Sequence, residues 1–208
     1  MESKREQKRP AIRCALCTDK VCRDGKDCFA IAAVSGKFYM DEETGRVHRA
    51  ASAIEARHYC EATRLSETRL FARELGCRRL GLAFCIGLEE EARYISDFLS
   101  REFEVVSVCC KTGGIAKSDR ELEQIYPERK LEVMCNPAGQ AQLMNDAGTD
   151  LNILCGLCVG HDAVFAKVSH APVTTLIAKD RVLAHNPAGS VYSRYLRRIN
   201  SEYCEGKE

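Results

Sequence analysis

Twice in this chain a short apolar run ends in a cysteine and a glycine, and each time a helical pattern and a second apolar run follow. The first unit is Arg79-Leu-Gly-Leu-Ala-Phe84, then Cys85-Ile-Gly87, a helical stretch over 89–103 with Ala92, Ile95, Phe98 and Leu99 inward, and Val105-Val-Ser-Val108 before Cys109-Cys110-Lys111. The second is Asp150-Leu-Asn-Ile-Leu154, then Cys155-Gly-Leu-Cys-Val-Gly160, a helix opening at His161-Asp162, and Pro172-Val-Thr-Thr-Leu-Ile-Ala178 before Lys179-Asp180. Strands separated by helices pair in parallel, because each crossover returns the chain to the same end of the sheet. The rhythm therefore predicts an α/β domain: a three-layer, Rossmann-like, mostly parallel sheet. The likeness of the two units fits a short internal duplication and, equally, the rhythm that any doubly wound sheet imposes.

In open parallel sheets ligands bind beyond the carboxyl ends of the strands. Cys85, Cys109, Cys110, Cys155 and Cys158 all fall at such ends, and Cys135, after Leu131-Glu-Val-Met134, is placed as another. Adjacent residues of a strand face opposite ways, so of Cys109 and Cys110 only one is expected to reach inward, and Cys110, beside Lys111, is the better placed. Gly156 and Gly160 let the chain turn sharply and approach a ligand. Around them His161, Asp162, Lys179, Asp180 and His185 are the candidate proton donors and anion holders. The bland reading of the cysteines is as small buried residues, which free Cys often is; His161 and Asp162 make poor core residues and weigh against it.

A second concentration of thiols comes early: Cys14, Cys17, Cys22 and Cys28 lie within a stretch whose large apolar residues are only Leu16, Val21 and Phe29. So little apolar surface cannot fix a backbone, which points to a bound metal. The spacing matches neither a zinc ribbon nor the bacterial ferredoxin run, so a [4Fe–4S] cluster and zinc both remain open, with the cluster favoured by the thiols elsewhere. With 13 cysteines in the chain, a disulfide framework is disfavoured by the odd count and by the absence of a secretory leader. The predicted organisation is a cysteine-rich metal module over 1–39, with a charged, mobile lead-in over 1–10, and the α/β domain over 40–208.

Between these, residues 41–45 read as a polar turn, 47–62 as a helix, and 67–75 as a helix capped by Ser66 and Gly76. Residues 131–134 read as a strand, 140–145 as a short helix and 192–198 as a closing basic helix. Net charge is +1, with 31 basic and 30 acidic residues, which disfavours a nucleic-acid partner, and no apolar run approaches the roughly 18 residues that span a bilayer. A cytoplasmic location is expected, in a reducing or anaerobic cell given so many oxidisable thiols. GxGxxG is absent and Glu89-Glu-Glu91 would repel a pyrophosphate, so nicotinamide binding is not expected.

Three function classes follow. The first is an iron–sulfur redox protein, acting as an enzyme on a small molecule at the cysteine-rich edge, with one [4Fe–4S] cluster or two. The second is a non-catalytic carrier of electrons or metal, whose partner is another protein. The third is a thiol enzyme with a structural zinc module, using Cys158 or Cys110 as nucleophile. A homodimer is the assembly left open.

Cys14-Ala-Leu-Cys17, Ala83-Phe-Cys85-Ile-Gly87, Cys110-Lys111, Asn136-Pro137, the run from Gly156 to Asp162 and the run from Lys179 to Pro187 together resemble a prokaryotic family of unknown function. Metal binding is ascribed to that family, which is common in anaerobes, and the resemblance extends over nearly the whole chain. It implies metal binding and no mechanism. The placing of thiols at strand ends is also similar, in architecture alone, to carbon monoxide dehydrogenase and hybrid-cluster proteins.

Overall fold

In the computed structural model, which describes residues 12–204, the alternating apolar runs form four strands: β1 (Arg79–Phe84), β2 (Glu104–Cys109), β3 (Leu151–Cys155) and β4 (Val173–Ile177). The sheet order is β2-β1-β3-β4 and every pairing is parallel. The architecture is thus α/β with an all-parallel sheet, where a mostly parallel one was expected. From β1 the chain crosses to one edge and from β3 to the other, so the order reverses between β1 and β3. Such a reversal leaves a crevice beyond the carboxyl ends of those two strands.

Burial explains the composition of the strands. Leu80 and Leu82 of β1, with Leu151 and Ile153 of β3, pack against Leu88, Ala92, Ile95 and Leu99 of α4 (Glu89–Leu99) and its approach, and against Ala72 of α3 (Arg64–Glu74). Alternate residues Ala83 and Leu154 face the opposite way, onto Ala141 and Met144 of α5 (Pro137–Asp146) and Phe165 of α6 (His161–Val168). Both faces of the sheet are covered, which is why its central strands lack polar alternation. Gly81 marks the tightest approach: a Cβ there would lie 2.0 Å from Asn152 Oδ1 and 2.6 Å from Met144 Sδ. Asn152, fully buried, is satisfied by Thr149 Oγ1, which donates to its Oδ1, and by Ser169 Oγ, which accepts from its Nδ2.

Several local expectations change. The stretch over 41–45 is no turn: α2 (Glu42–His58) begins there, with Asp41 Oδ1 accepting from Thr44 N and capping it. The cap of α3 is Thr63, whose hydroxyl accepts from the Ser66 amide, so the helix starts ahead of Ser66. The helix expected over 89–103 ends at Leu99, and Phe103 turns back into the core. Residues 131–134 form no strand; Val133 makes one isolated antiparallel bridge to Ala116, because Lys117 and Glu132 pair at 2.6 Å and close a long loop there. α5 begins at Pro137, using Asn136 as its cap, and the closing segment is α7 (Gly189–Tyr192) and α8 (Arg194–Cys204).

The chain divides into two compact units, Met1–Ala53 and Ile54–Glu208. In the first, two short 3-10 turns (Cys14–Leu16 and Val21–Asp24) carry Cys14 and Cys22, Cys17 directly follows the first of them, and α1 (Ala32–Tyr39), unforeseen in the sequence, follows Cys28. Asp27 ties this segment together: its carboxylate accepts from the amides of Ile31 and Ala32, which hold its pKa below the usual value. The charged lead-in over 1–10 lies outside the described residues. No helix among the described residues is long and apolar enough to cross a membrane.

Candidate thiol site at the carboxyl edge of the sheet

The site is assembled where β1, β2 and the entry to α5 end together. The Cys110 amide donates to Phe84 O, the Cys85 amide to Cys155 O, and the Asn136 amide to Cys110 O, so the ladder continues past the strands and fixes all three thiol-bearing residues. Asn136 is the knot. Its Oδ1 accepts from Gly139 N as the cap of α5, and its Nδ2 donates to Thr112 O. From below, Gln140 Nε2 donates to Phe84 O at 3.2 Å and Val108 O at 2.7 Å, pinning the last turns of β1 and β2 to α5. Its Oε1 is fully buried without a hydrogen-bond partner.

On this frame three thiols form a row, Cys85, Cys110 and Cys135. Cys110 is 2 % exposed and its Sγ lies 3.8 Å from Cys135 Sγ, while the Ile86 amide donates to it at 3.4 Å. Each outer thiol has its own ammonium: Lys179 Nζ stands 3.5 Å from Cys85 Sγ, and Lys111 Nζ 3.6 Å from Cys135 Sγ, held there by its bond to Val133 O. The outer thiols become thiolates easily. A hydrogen bond from Cys110, the Gly87 amide and Lys179 bring Cys85 down to about 5. Cys135 is brought to about 5 by Cys110, Lys111 and His161. Cys110 is pushed up by bonding to both neighbours and by burial, and keeps its proton. One S–H reaches one neighbour at a time, so the first proton lost belongs to the row rather than to either outer residue.

The remaining candidates lie around this row rather than in it. Cys155 is fully buried, its pKa raised to about 12 by burial, Glu91 and Cys85. Gly156 turns the chain at φ +67°, where a Cβ would meet Leu88 at 2.8 Å. Cys158 is paired with Arg181 Nη2 at 2.9 Å. Gly160 sits at φ +82° before α6, whose first residues are His161 and Asp162; the Asp162 carboxylate accepts from the Ala163 amide. Asp180 Oδ1 accepts from the amides of Val182 and Leu183, and the Asp180 amide donates to His185 Nδ1 at 3.2 Å, which leaves the proton of neutral His185 on Nε2. Cys109, at the end of β2, stands outside the row, half-buried against the core.

Cys14, Cys17, Cys22 and Cys28 are all exposed, as free thiols. Among the described residues, no three side chains of His, Cys, Asp or Glu converge on the position of a single ion. Gln140 and Arg181 were missed by sequence reasoning: a glutamine inside a helix and an arginine in a loop carry no local signal of what they reach.

A family profile described as "Protein of unknown function (DUF1847)" matches residues 25–176. The matched range includes Cys28 and the row of Cys85, Cys110 and Cys135, and ends ahead of Lys179. The chain is also 46 % identical, over 185 residues, to the uncharacterized protein MJ0455 of Methanocaldococcus jannaschii, which covers 88 % of this chain and 95 % of that protein. No solved structure matches it.

Proposed function

The chain belongs to the DUF1847 family, and we propose for it redox chemistry on a small molecule at the carboxyl edge of the sheet, with an iron–sulfur cluster held by Cys85, Cys110 and Cys135. The observation that carries this reading is the row of thiols from three chain segments beyond the carboxyl ends of β1 and β2, with Cys85 on the strand that borders the reversal and Lys111 and Lys179 at its flanks. A cluster takes its thiolates at separate irons, so the sulfurs of the row would spread from their present contact on binding it, whereas one ion needs donors that converge on a point. A bound cluster would supply one-electron transfer and an iron position open to an exchangeable ligand.

The chain's own residues have distinct tasks in this reading. Lys179 and Lys111 offset the charge of the thiolates and attract an anionic substrate or reductant. Cys110, which keeps its proton between the two outer sulfurs while no metal is bound, would give that proton up on ligation, because cluster cysteines bind as thiolates. His161, beside Cys135, and His185, with Nε2 available, are the groups that would pass protons to substrate. Cys14, Cys17, Cys22 and Cys28 would hold a second [4Fe–4S] cluster or a zinc ion, and a reductase or other electron-transfer protein is the implied partner. We place the chain in the cytoplasm of an anaerobe on the strength of its thiol load.

A second reading is favoured by one distance. Two thiolates about 2.3 Å from one tetrahedral zinc lie about 3.8 Å apart, the spacing of Cys110 and Cys135, so the pair also suits one edge of a zinc site.

Anaerobic isolation with iron, sulfide and zinc analysis separates the two. The double variant Cys110→Ser, Cys135→Ser should lose about four irons per chain if one cubane sits there, with the visible absorption falling in proportion. Cys14→Ser, Cys17→Ser reports on the N-terminal thiols separately. Iron and spectra unchanged in the first variant would end the cluster reading at the sheet edge, and zinc alone would put the second reading in its place.

A further inference from the structure

Cys135 and Cys110 differ in access as sharply as they agree in position. Cys135 is half-buried, whereas Cys110 is 2 % exposed, and their sulfurs stand 3.8 Å apart. Their backbones are already tied: the amide of Asn136, next to Cys135, donates to Cys110 O at 2.8 Å. Bringing the sulfurs from 3.8 Å to the roughly 2.05 Å of a bond closes a gap smaller than one bond length. An accessible thiol backed by a buried one at contact distance is the arrangement that thiol–disulfide exchange needs, since the first attacks and the second resolves. We propose that Cys135 and Cys110, when they carry no metal, form a dithiol–disulfide couple that exchanges with the disulfides of small thiols bearing carboxylates.

The chemistry balances without a further reagent. Cys135 Sγ attacks one sulfur of the small disulfide RSSR, forming Cys135–S–S–R and expelling RS⁻. Cys110 gives up its proton to that departing thiolate and attacks Cys135 Sγ. The Cys110–Cys135 bond forms, and the second RS⁻ leaves to be protonated by solvent. Two electrons pass from the protein thiols to RSSR, which becomes two RSH. The carboxylate preference comes from charge: Lys111 Nζ lies 3.6 Å from the attacking sulfur and Lys179 flanks the other end of the row. Cys85, held by Lys179 on the far side of Cys110, remains a free thiol. The couple is independent of the cluster reading, because it concerns the metal-free thiols.

The test is to dialyse the full chain against a chelator, confirm its fold by circular dichroism, and equilibrate it anaerobically with glutathione and glutathione disulfide in graded ratios. Acid quenching, alkylation and fragment sequencing then locate the bonds. The expected product is one Cys110–Cys135 link, formed reversibly, retained in Cys109→Ser and in Cys155→Ser, and replaced by a stable glutathione adduct on Cys110→Ser at Cys135. Cystamine, a cationic disulfide, should react at least tenfold more slowly than glutathione disulfide. A link through Cys85 or Cys109 instead, or no link at any ratio, overturns the proposal; equal rates with the two disulfides overturn its substrate class. Because the link is mapped in the unmodified sequence, a variant that fails to fold does not decide the outcome.

Discussion

The two thiol-rich regions of this chain use the same residue in opposite ways. In the N-terminal unit Cys14, Cys17, Cys22 and Cys28 stand exposed, and the thiols of Cys22 and Cys28 approach the carbonyls two residues back. At the sheet edge Cys85 and Cys110 are buried, Cys135 is half-buried, and the row is set by a ladder, two lysines and a glutamine. The difference teaches where order comes from. A sheet with both faces covered can hold thiols in place before any ligand arrives, whereas a segment without a core depends on its ligand to choose a conformation.

Chelation should separate the regions most strongly. Amide exchange over residues 14–31 is expected to speed by about a thousandfold or more on metal removal, while residues 79–84 and 151–155 keep their protection, since local stability follows local packing. Equal loss in both would remove the contrast. Next in size is Gly81→Ala, whose Cβ meets Asn152 Oδ1 at 2.0 Å inside the core. Overpacking of that kind costs about 3 kcal/mol, so denaturant unfolding of the sheet should shift by that much, with exchange over 14–31 unchanged.

The pH profile sharpens the comparison at the level of one sulfur. The first proton leaves the row at about 5, below a thiol's ordinary value, so the thiolate that Cys85 and Cys135 share persists as pH falls and disappears only as pH drops through about 5. In the metal-free protein the alkylation rate of Cys135 should change less than twofold between about pH 6 and 8, where an ordinary thiol near 8.5 gains about two orders of magnitude. A rate that climbs steeply over that range would show that Lys111 and Cys110 do not hold the charge. The smallest effect expected is from Gln140→Met. It deletes two hydrogen bonds to strand-end carbonyls but also an unpartnered buried oxygen, for a net loss of about 1 kcal/mol. Thermal unfolding measures the loss, and Cys110 alkylation should rise as the strand ends loosen.

The strands were legible because burial on both faces leaves continuous apolar runs, and their ends because glycine and cysteine punctuate them. Residues 131–134 misled because Leu131, Val133 and Met134 around one charge look like a strand whether or not a neighbour is there to pair with them, and here the Lys117–Glu132 pair holds the segment as one side of a loop. The turn expected over 41–45 became helical because the Asp41 cap outweighs one glycine. Six strand-end cysteines were singled out from position alone, and position along a strand does not say how far a thiol reaches across the edge. The row contains three of them; Cys155 is sealed beneath, and Cys158 is drawn to Arg181.

By itself the sequence determined the α/β class, the parallel pairing and the gathering of thiols at one edge, because each follows from local periodicity and from the rule that crossovers return to the same end. Only the tertiary structure decided which thiols touch, that Cys110 lies between Cys85 and Cys135, and that Lys111 and Lys179 each face one of them. Those contacts join residues up to 94 positions apart, and their distances are set by how strands and helices pack, to which no local pattern in the chain refers.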